Sequence, residues 1–277
     1  MPLRGKVASS LIILTVVGSL TAVRAAPLDS TLLAQVARTN LPAAIELCGK
    51  AIADNPTNAQ PLLWRAELFD RLDRYEDGIR DWTAVAKLLP NSPYIYQRRG
   101  ELNFKSRRFA DSVADFDRVL ELDLSQAYRH WQRGISLYYA GKFADGRKQF
   151  EVHRLVNSND VENAAWHFLC AARESGVAKA REIIVPCGPD RRVPMKEIDA
   201  LYRGSGSPEA VLAAAKRTEG NRADALFYAH LYLGLYFDVM GEATRAREHI
   251  SKAAGEFGAS HYMGHVARIH LAELKRK

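Results

Sequence analysis

The chain has 277 residues, of which 47% are hydrophobic and 26% charged. That balance excludes an intrinsically disordered chain and a polytopic membrane protein, and leaves room for one extended or two compact globular domains. The formal net charge of +7 falls to +4 if Arg4, Lys6 and Arg24 are removed with the first 25 residues. An excess this mild argues for acidic surfaces or polymers as neighbours and against dedicated nucleic-acid binding.

Residues 1–25 read as a secretory signal peptide. Arg4 and Lys6 precede the apolar run "LIILTVVGSL", and Val23-Arg24-Ala25 fits the small-x-small rule for cleavage before Ala26. The run barely reaches spanning length and carries Ser, Thr and Gly, so no stable membrane insertion is expected after cleavage. The first cysteine is Cys48, which leaves no lipid-attachment site after the run. The expected location is periplasmic or secreted.

Residues 26–58 hold a capping helix around Ser30–Thr39 and a degenerate hairpin, "LPAAIELCGKAIADNP", with Ala44, Cys48 and Ala51 in second-helix packing columns. Across 59–160, "RAELFDRLDRYEDGIRDW", "RGELNFKSRRFADSVADF" and "RGISLYYAGKFADGRKQF" align without a gap at a period of 34 residues. The shared columns are Arg65/Arg99/Arg133, Ala66/Gly100/Gly134, Tyr75/Phe109/Phe143, Gly78/Ser112/Gly146 and Trp82/Phe116/Phe150. Each copy predicts two amphipathic helices that approach closely at the small residues, with aromatics wedged between them. Here the chain resembles the tetratricopeptide repeat (TPR) family. Its closing proline is present at Pro56 and Pro90, but Leu124 and Ser158 replace it in the next two copies, so helix ends are less sharply set there.

Residues 161–221 form a less regular helical segment. "VENAAWHFLCAARESG" predicts a helix ending at Gly176, and "VAKAREII" a short partner. The stretch "CGPDRRVP" is a loop, Pro194 opens a helix ending near Gly204, and Ser207-Pro208-Glu209 starts the next. Residues 222–277 add a repeat with Gly234, Gly241, Ala246 and Ala253 in the small-residue columns, capped by a helix in "HYMGHVARIHLAEL". The fold class is therefore all-α, a right-handed α-solenoid of TPR helix hairpins without strands.

No phosphate-cradling glycine loop, HExxH or nucleophile elbow occurs. No catalytic residue, metal site or cofactor is assigned, and the chain is not expected to be an enzyme. Asp111, Asp115 and Asp117 fall where repeats show a solvated face. His261 and His265, four apart, could share a metal with His249 or His270, but no carboxylate or cysteine ligand is near in sequence, and solvated or core histidines are the better reading. Cys170 and Cys187 could pair across a hairpin; buried thiols are the alternative.

The resemblance implies that positions two, five, nine and twelve of each first helix face the concave side. These are Gln60, Leu63, Glu67 and Asp70; Tyr94, Gln97, Glu101 and Phe104; and Tyr128, Trp131, Ile135 and Tyr138. The surface turns from polar to aromatic, and the last eight residues are the candidate protein- or peptide-binding groove. The alternative is that a following helix covers the rings as core. A clamp for a C-terminal carboxylate is disfavoured, because Leu63, Glu67, Gln97 and Glu101 occupy columns that need lysine and asparagine.

Beyond the repeats, "AAWHFLCAAR", "EIDALYRGSGSPEAVLAAA", "FYAHLYLGLYFDVMGE" and "HYMGH" follow one another in an order similar to the NlpI type of periplasmic repeat protein, over roughly residues 59–274. That resemblance implies a non-catalytic envelope adaptor docking peptidoglycan hydrolases and a processing protease, here without the family's lipid-bearing cysteine. The competing expectations are a metal-dependent envelope enzyme and a self-associating structural protein; homo-oligomers are compatible with either layout.

Overall fold

The computed structural model describes residues 28–276, so the signal-peptide reading of residues 1–25 lies outside the described residues. Among the described residues there are fifteen α-helices, one 3-10 turn and no strand. A capping helix α1 (Ser30–Thr39) and α2 (Leu41–Asp54) precede the hairpins α3 (Ala59–Arg71) with α4 (Tyr75–Leu88) and α5 (Pro93–Lys105) with α6 (Phe109–Leu122). The third hairpin pairs α7 (Trp131–Tyr139) with α8 (Phe143–His153), and the fourth pairs α9 (Val161–Ser175) with the short α10 (Val177–Ile183). After α11 (Met195–Arg203) and α12 (Pro208–Arg217) come the last hairpin, α13 (Arg222–Val239) with α14 (Ala243–Ala254), and a final helix α15 (Tyr262–Leu274).

Local chemistry sets the boundaries. Asn40 Oδ1 accepts from Ala43 N at 3.0 Å, Asn58 Oδ1 from Gln60 N at 3.1 Å and Ser207 Oγ from Ala210 N at 3.2 Å, each satisfying a first-turn N–H. The turn within each repeat hairpin closes on a left-handed residue: Asp73, Arg107 and Gly141, at φ 56°, 62° and 74°. Only the third is a glycine, the residue this conformation favours. The missing proline at Leu124 has a visible effect. Residues 124–128 wind into a 3-10 turn, and α7 starts only at Trp131. Tyr128 therefore stands on this turn and not on a first helix, which corrects its expected placement.

Packing follows the repeat columns. A methyl group placed on Gly134 would come within 2.6 Å of the Phe150 ring, and one on Gly100 within 2.7 Å of Phe116, so the two helices of each hairpin meet at those glycines. The arginine column forms a ladder to the second helix sixteen residues on. Arg65 donates to Asp81 at 2.7 Å and Arg99 to Asp115 at 2.6 Å, while Arg133 finds Gln149 at 3.0 Å and turns back to Asp117 at 2.6 Å. Asp115 is thus buried against Arg99 and Asn103 and is not on a solvated face; the carboxylate column there is the partner of the arginine column. Asp111 is exposed and Asp117 half-buried.

The core is unevenly divided. Leu33, Ala37, Ala44, Cys48, Trp64 and Leu68 form one small cluster, and Leu62 through Leu102 form a second around Trp82. A third runs from Phe104 to Leu274 and unites the last repeats, the irregular segment and the C-terminal hairpin. At its centre lies α13, apolar almost all round and buried from Ala225 to Asp238 apart from half-buried Tyr228. No helix among the described residues is long and apolar enough to cross a membrane.

Candidate functional site: a cavity beneath the C-terminal helix

Helix α15 caps α14 and also lies across the inner face of the repeats. Its Tyr262 ring stacks on Phe104 with centroids 5.3 Å apart and meets Trp131 edge-on at 5.0 Å. Further along, His265 Nδ1 lies 3.5 Å from the Tyr75 hydroxyl and His270 Nδ1 3.1 Å from that of Tyr139, and Arg107 donates to Glu273 at 2.7 Å. The groove is filled in cis by the chain's own last helix.

This arrangement divides the eight predicted groove residues. Phe104, Ile135 and Tyr138 are 0, 1 and 5% exposed and belong to the core, because α15 and α9 cover them; Tyr138 meets Trp166 edge-on at 5.4 Å. Their assignment to an open aromatic strip is corrected. Tyr94 and Tyr128 remain 55 and 47% exposed, and Trp131 is half-buried. Gln97 and Glu101 are held in a polar network: Gln97 Nε2 donates to Glu101 at 2.8 Å and to Gln132 at 2.8 Å, and Gln132 Nε2 donates to Glu101 at 2.9 Å. Arg98 joins Glu101 to Glu67 across the hairpin boundary, with a 2.7 Å bond to Glu67, and Tyr94 donates to Glu67 at 3.2 Å. The polar half of the inner face is thus internally paired, and a ligand there would have to displace existing bonds.

Between α15 and the wall formed by α7, α8 and α9 lies a cavity of about 560 Å³, lined by Trp131, Ile135, Phe150, Asn163, Trp166 and Tyr262 among others. Two predicted groove residues, Trp131 and Ile135, therefore line it. Its rim carries Arg129, Val156, Asp160, Glu162, Tyr228 and His261. Arg192, from the loop before α11, bridges Asp160 at 2.9 Å and Glu162 at 2.5 Å and is held in turn by Asp190 at 2.6 Å. Glu162 also accepts from the Tyr232 hydroxyl at 2.7 Å. Burial raises the Glu162 carboxyl above its ordinary range, with Arg192 opposing.

Sequence reasoning missed Glu162, Asn163 and Trp166 as site residues because the repeat columns blur after Ser158. One signal was available: a further period of 34 beyond Tyr128 arrives at Glu162, the second position of the fourth first helix.

The other reactive side chains are occupied by packing. Cys48, Cys170 and Cys187 are free thiols, the first two buried. Burial pushes Cys48 up to about 12 and Cys187 up to about 11, so they stay protonated at neutral pH. His261, the N-cap residue of α15, packs against Phe227 and Tyr228, whereas His265, inside the helix, lies against Tyr75, so the two rings have different surroundings. No group of three His, Cys, Asp or Glu suited to a metal occurs among the described residues. The histidines that do meet are His230 and His249, buried, with their Nδ1 atoms 2.9 Å apart.

No family model matches the sequence, and no curated protein matches it. Solved structures do. A tetratricopeptide repeat protein from Parabacteroides merdae is 15% identical with a TM-score of 0.53, over 89% of this chain and 98% of its own. A MamA protein is 15% identical with a TM-score of 0.50, over 55% of this chain and 86% of its own. At this identity the likeness speaks for architecture alone, and it agrees with the stacked hairpins. The chain has the helical-solenoid fold of tetratricopeptide repeat proteins.

Proposed function

We propose that the chain is an exported, non-catalytic scaffold that binds protein or peptide partners in the cell envelope. The observation that carries the binding part is the cavity under α15, lined by half-buried Trp131 and exposed Arg129 and Val156 and walled by α7, α8 and α9, with exposed Tyr128 adjacent in sequence to Arg129. A concave, largely aromatic surface on a rigid stack presents anchors at fixed spacing, and little ordering entropy is lost when a partner docks. The export part rests on Arg4, Lys6, the apolar run and the Val23-Arg24-Ala25 site. Peptidoglycan hydrolases or an envelope protease are the partner class the NlpI-like layout implies.

The test is a photo-crosslinking residue at position 128 in the exported protein, with and without Trp131→Ala. The expected result is a discrete set of crosslinked envelope proteins that is lost at least tenfold in the variant while helicity is unchanged. Crosslinking indifferent to Trp131 would overturn the groove. Amino-terminal sequencing of the exported protein tests cleavage before Ala26. A concentration-dependent size in solution, with crosslinks only between copies, would instead favour a self-associating structural protein.

A further inference from the structure

Five aromatic rings line the cavity under α15, and three of them, Trp131, Tyr228 and Tyr262, are half-buried and keep accessible surface. Trp131 meets Tyr262 edge-on at 5.0 Å and Tyr228 stacks on His261 at 5.8 Å, so each of these rings is held by a neighbour. The face of an aromatic ring carries partial negative charge, which attracts a cation and repels an anion. Two carboxylates share the lining, Asp160 and Glu162, with side chains 20 and 16% exposed. Both bind Arg192, and so does Asp190, so three carboxylates share one guanidinium. Asp224, 4.0 Å from His261 Nε2, adds a fourth carboxylate beside the rim. His261 itself is lowered by burial below its ordinary range and carries no charge at neutral pH. The Tyr228 phenol registers the resulting field: burial pushes it up, Glu162, Asp224 and Asp160 push it further, and Arg192 alone opposes them.

Two further cations act against this excess. Arg129 is exposed at the rim, two residues before Trp131, and Arg268 reaches the field of His261 from α15 while donating to the Ala259 carbonyl at 3.1 Å. With Arg192 they make three guanidiniums against the four carboxylates, so the surroundings stay net negative. The positive charge of the whole chain does not reverse this, because charges more than about 8 Å away are largely screened at physiological salt. We infer that the cavity takes the basic side chain, lysine or arginine, of an extended peptide partner, its aliphatic stem against the aromatic walls and its cationic head toward Asp160 and Glu162. This rests on the scaffold reading above and specifies which residue of a partner enters. A basic side chain suits such a lining because its stem is apolar and only its tip is charged. At about 560 Å³ the cavity has room for it, being far larger than one water molecule, whose share of liquid is roughly 30 Å³. An acidic ligand would have only exposed Arg129 to meet, where an ion pair contributes little, and would face the carboxylates and the rings. The Tyr128 carbonyl lies 3.0 Å from Nδ1 of His153, a lining residue, which sets that turn beside the cavity. Tyr128, Leu155 and Val156 are exposed there and suit apolar residues flanking the basic one.

The indole N–H of Trp131 gives the readout. In the full chain carrying ¹⁵N-tryptophan, its resonance is identified by its loss in Trp131→Phe. The probes are acetyl-Leu-Lys-Leu-amide and its counterparts with glutamine or glutamate at the centre. The lysine peptide is expected to move the Trp131 resonance saturably and to bind about tenfold more tightly than the glutamine peptide, with the glutamate peptide weakest. Rim charges of opposite sign give opposite variants. Asp160→Asn keeps a side-chain oxygen for the first turn of α9, where Asp160 accepts from Glu162 N at 3.1 Å, and should weaken the lysine peptide severalfold. Arg129→Gln removes the opposing charge at the exposed rim and should strengthen the lysine peptide, more so at low salt. If Asp160→Asn does not fold, Arg129→Gln and the three peptides on the unmodified chain decide. Equal binding of the lysine and glutamine peptides, or a Trp131 resonance unmoved by all three, overturns the cationic subsite. So does preference for the glutamate peptide that is lost in Arg129→Gln. Where any of these occurs while crosslinking at position 128 still depends on Trp131, the subsite falls and the scaffold stands.

Discussion

The two halves of the molecule solve the same packing problem differently. From α1 to the start of α5, packing is mostly between immediate neighbours, in two small clusters, and the arginine–aspartate pairs tie together the two helices within a hairpin. From Phe104 onward one apolar cluster ties helices remote in sequence to each other, and α15 returns across the inner face to close it. A repeat stack of the first kind is held by nearest-neighbour interfaces and opens in pieces. The second kind behaves as one cooperative unit, and a cavity sits where the closing helix meets the repeats.

The largest test of that contrast is Phe168→Ala. Its ring is fully buried against Tyr202 at 5.1 Å and Tyr236 at 6.5 Å, and its loss is expected to cost about 3–5 kcal/mol. Denaturant unfolding should show the segment from α7 to α15 lost in one transition; separate loss of α15 would break the idea of a single unit. Next comes Asp115→Ala, which strands Arg99 and Asn103 on the same hairpin. The expected cost is about 3 kcal/mol, read as faster amide exchange in α5 and α6 while α13 keeps its protection. Equal acceleration in both halves would contradict local opening.

Gly134→Ala probes the join between the halves. The added methyl meets the Phe150 ring at 2.6 Å, an overpacking that costs about 2 kcal/mol and also moves one wall of the cavity. Peptide affinity should therefore change together with the melting temperature, whereas Gly100→Ala, against Phe116, should shift melting alone.

The smallest expected effect is a pH dependence confined to the C-terminal unit. Burial, aided by His249, holds His230 at about 4, and burial also lowers His249; Lys216, Lys252 and Glu248 are the charges around them. The unfolded chain takes up protons near pH 6.5 that folded His230 refuses until about pH 4 and that burial makes folded His249 resist as well. Stability is therefore expected to fall as pH drops through that window. The pair's share is about 1 kcal/mol after allowance for solvent screening. His249→Gln should flatten the decline; an unchanged slope would assign it to His130 and His265, each also pushed down to about 4 by burial.

Much of this was legible in the chain. The period of 34, the small-residue columns and the cap at Ser207 predicted the helices of the repeats and most of those after them, because amphipathic spacing, capping and close approach act within one or two turns of the residue concerned. The arginine column was visible, but its aspartate partners were read as solvated: a pair sixteen apart in sequence becomes neighbours only when the hairpin closes. Tyr128 was misplaced because a 3-10 turn replaced the expected start of α7. Of the residues that line the cavity, Trp131 and Ile135 had been placed on the inner face, while Asn163 and Trp166 had not, since the repeat columns blur after Ser158.

By itself, then, the sequence determined the repeating hairpin and which residues its helices bury against the next helix. Only the tertiary structure decided that the aromatic end of the inner face is closed. That closure depends on Tyr262 reaching Phe104, over 150 residues away in the chain, and no local pattern encodes a contact that forms only once the nine helices between α5 and α15 have packed. The same packing leaves the cavity that Trp131 and Trp166 line.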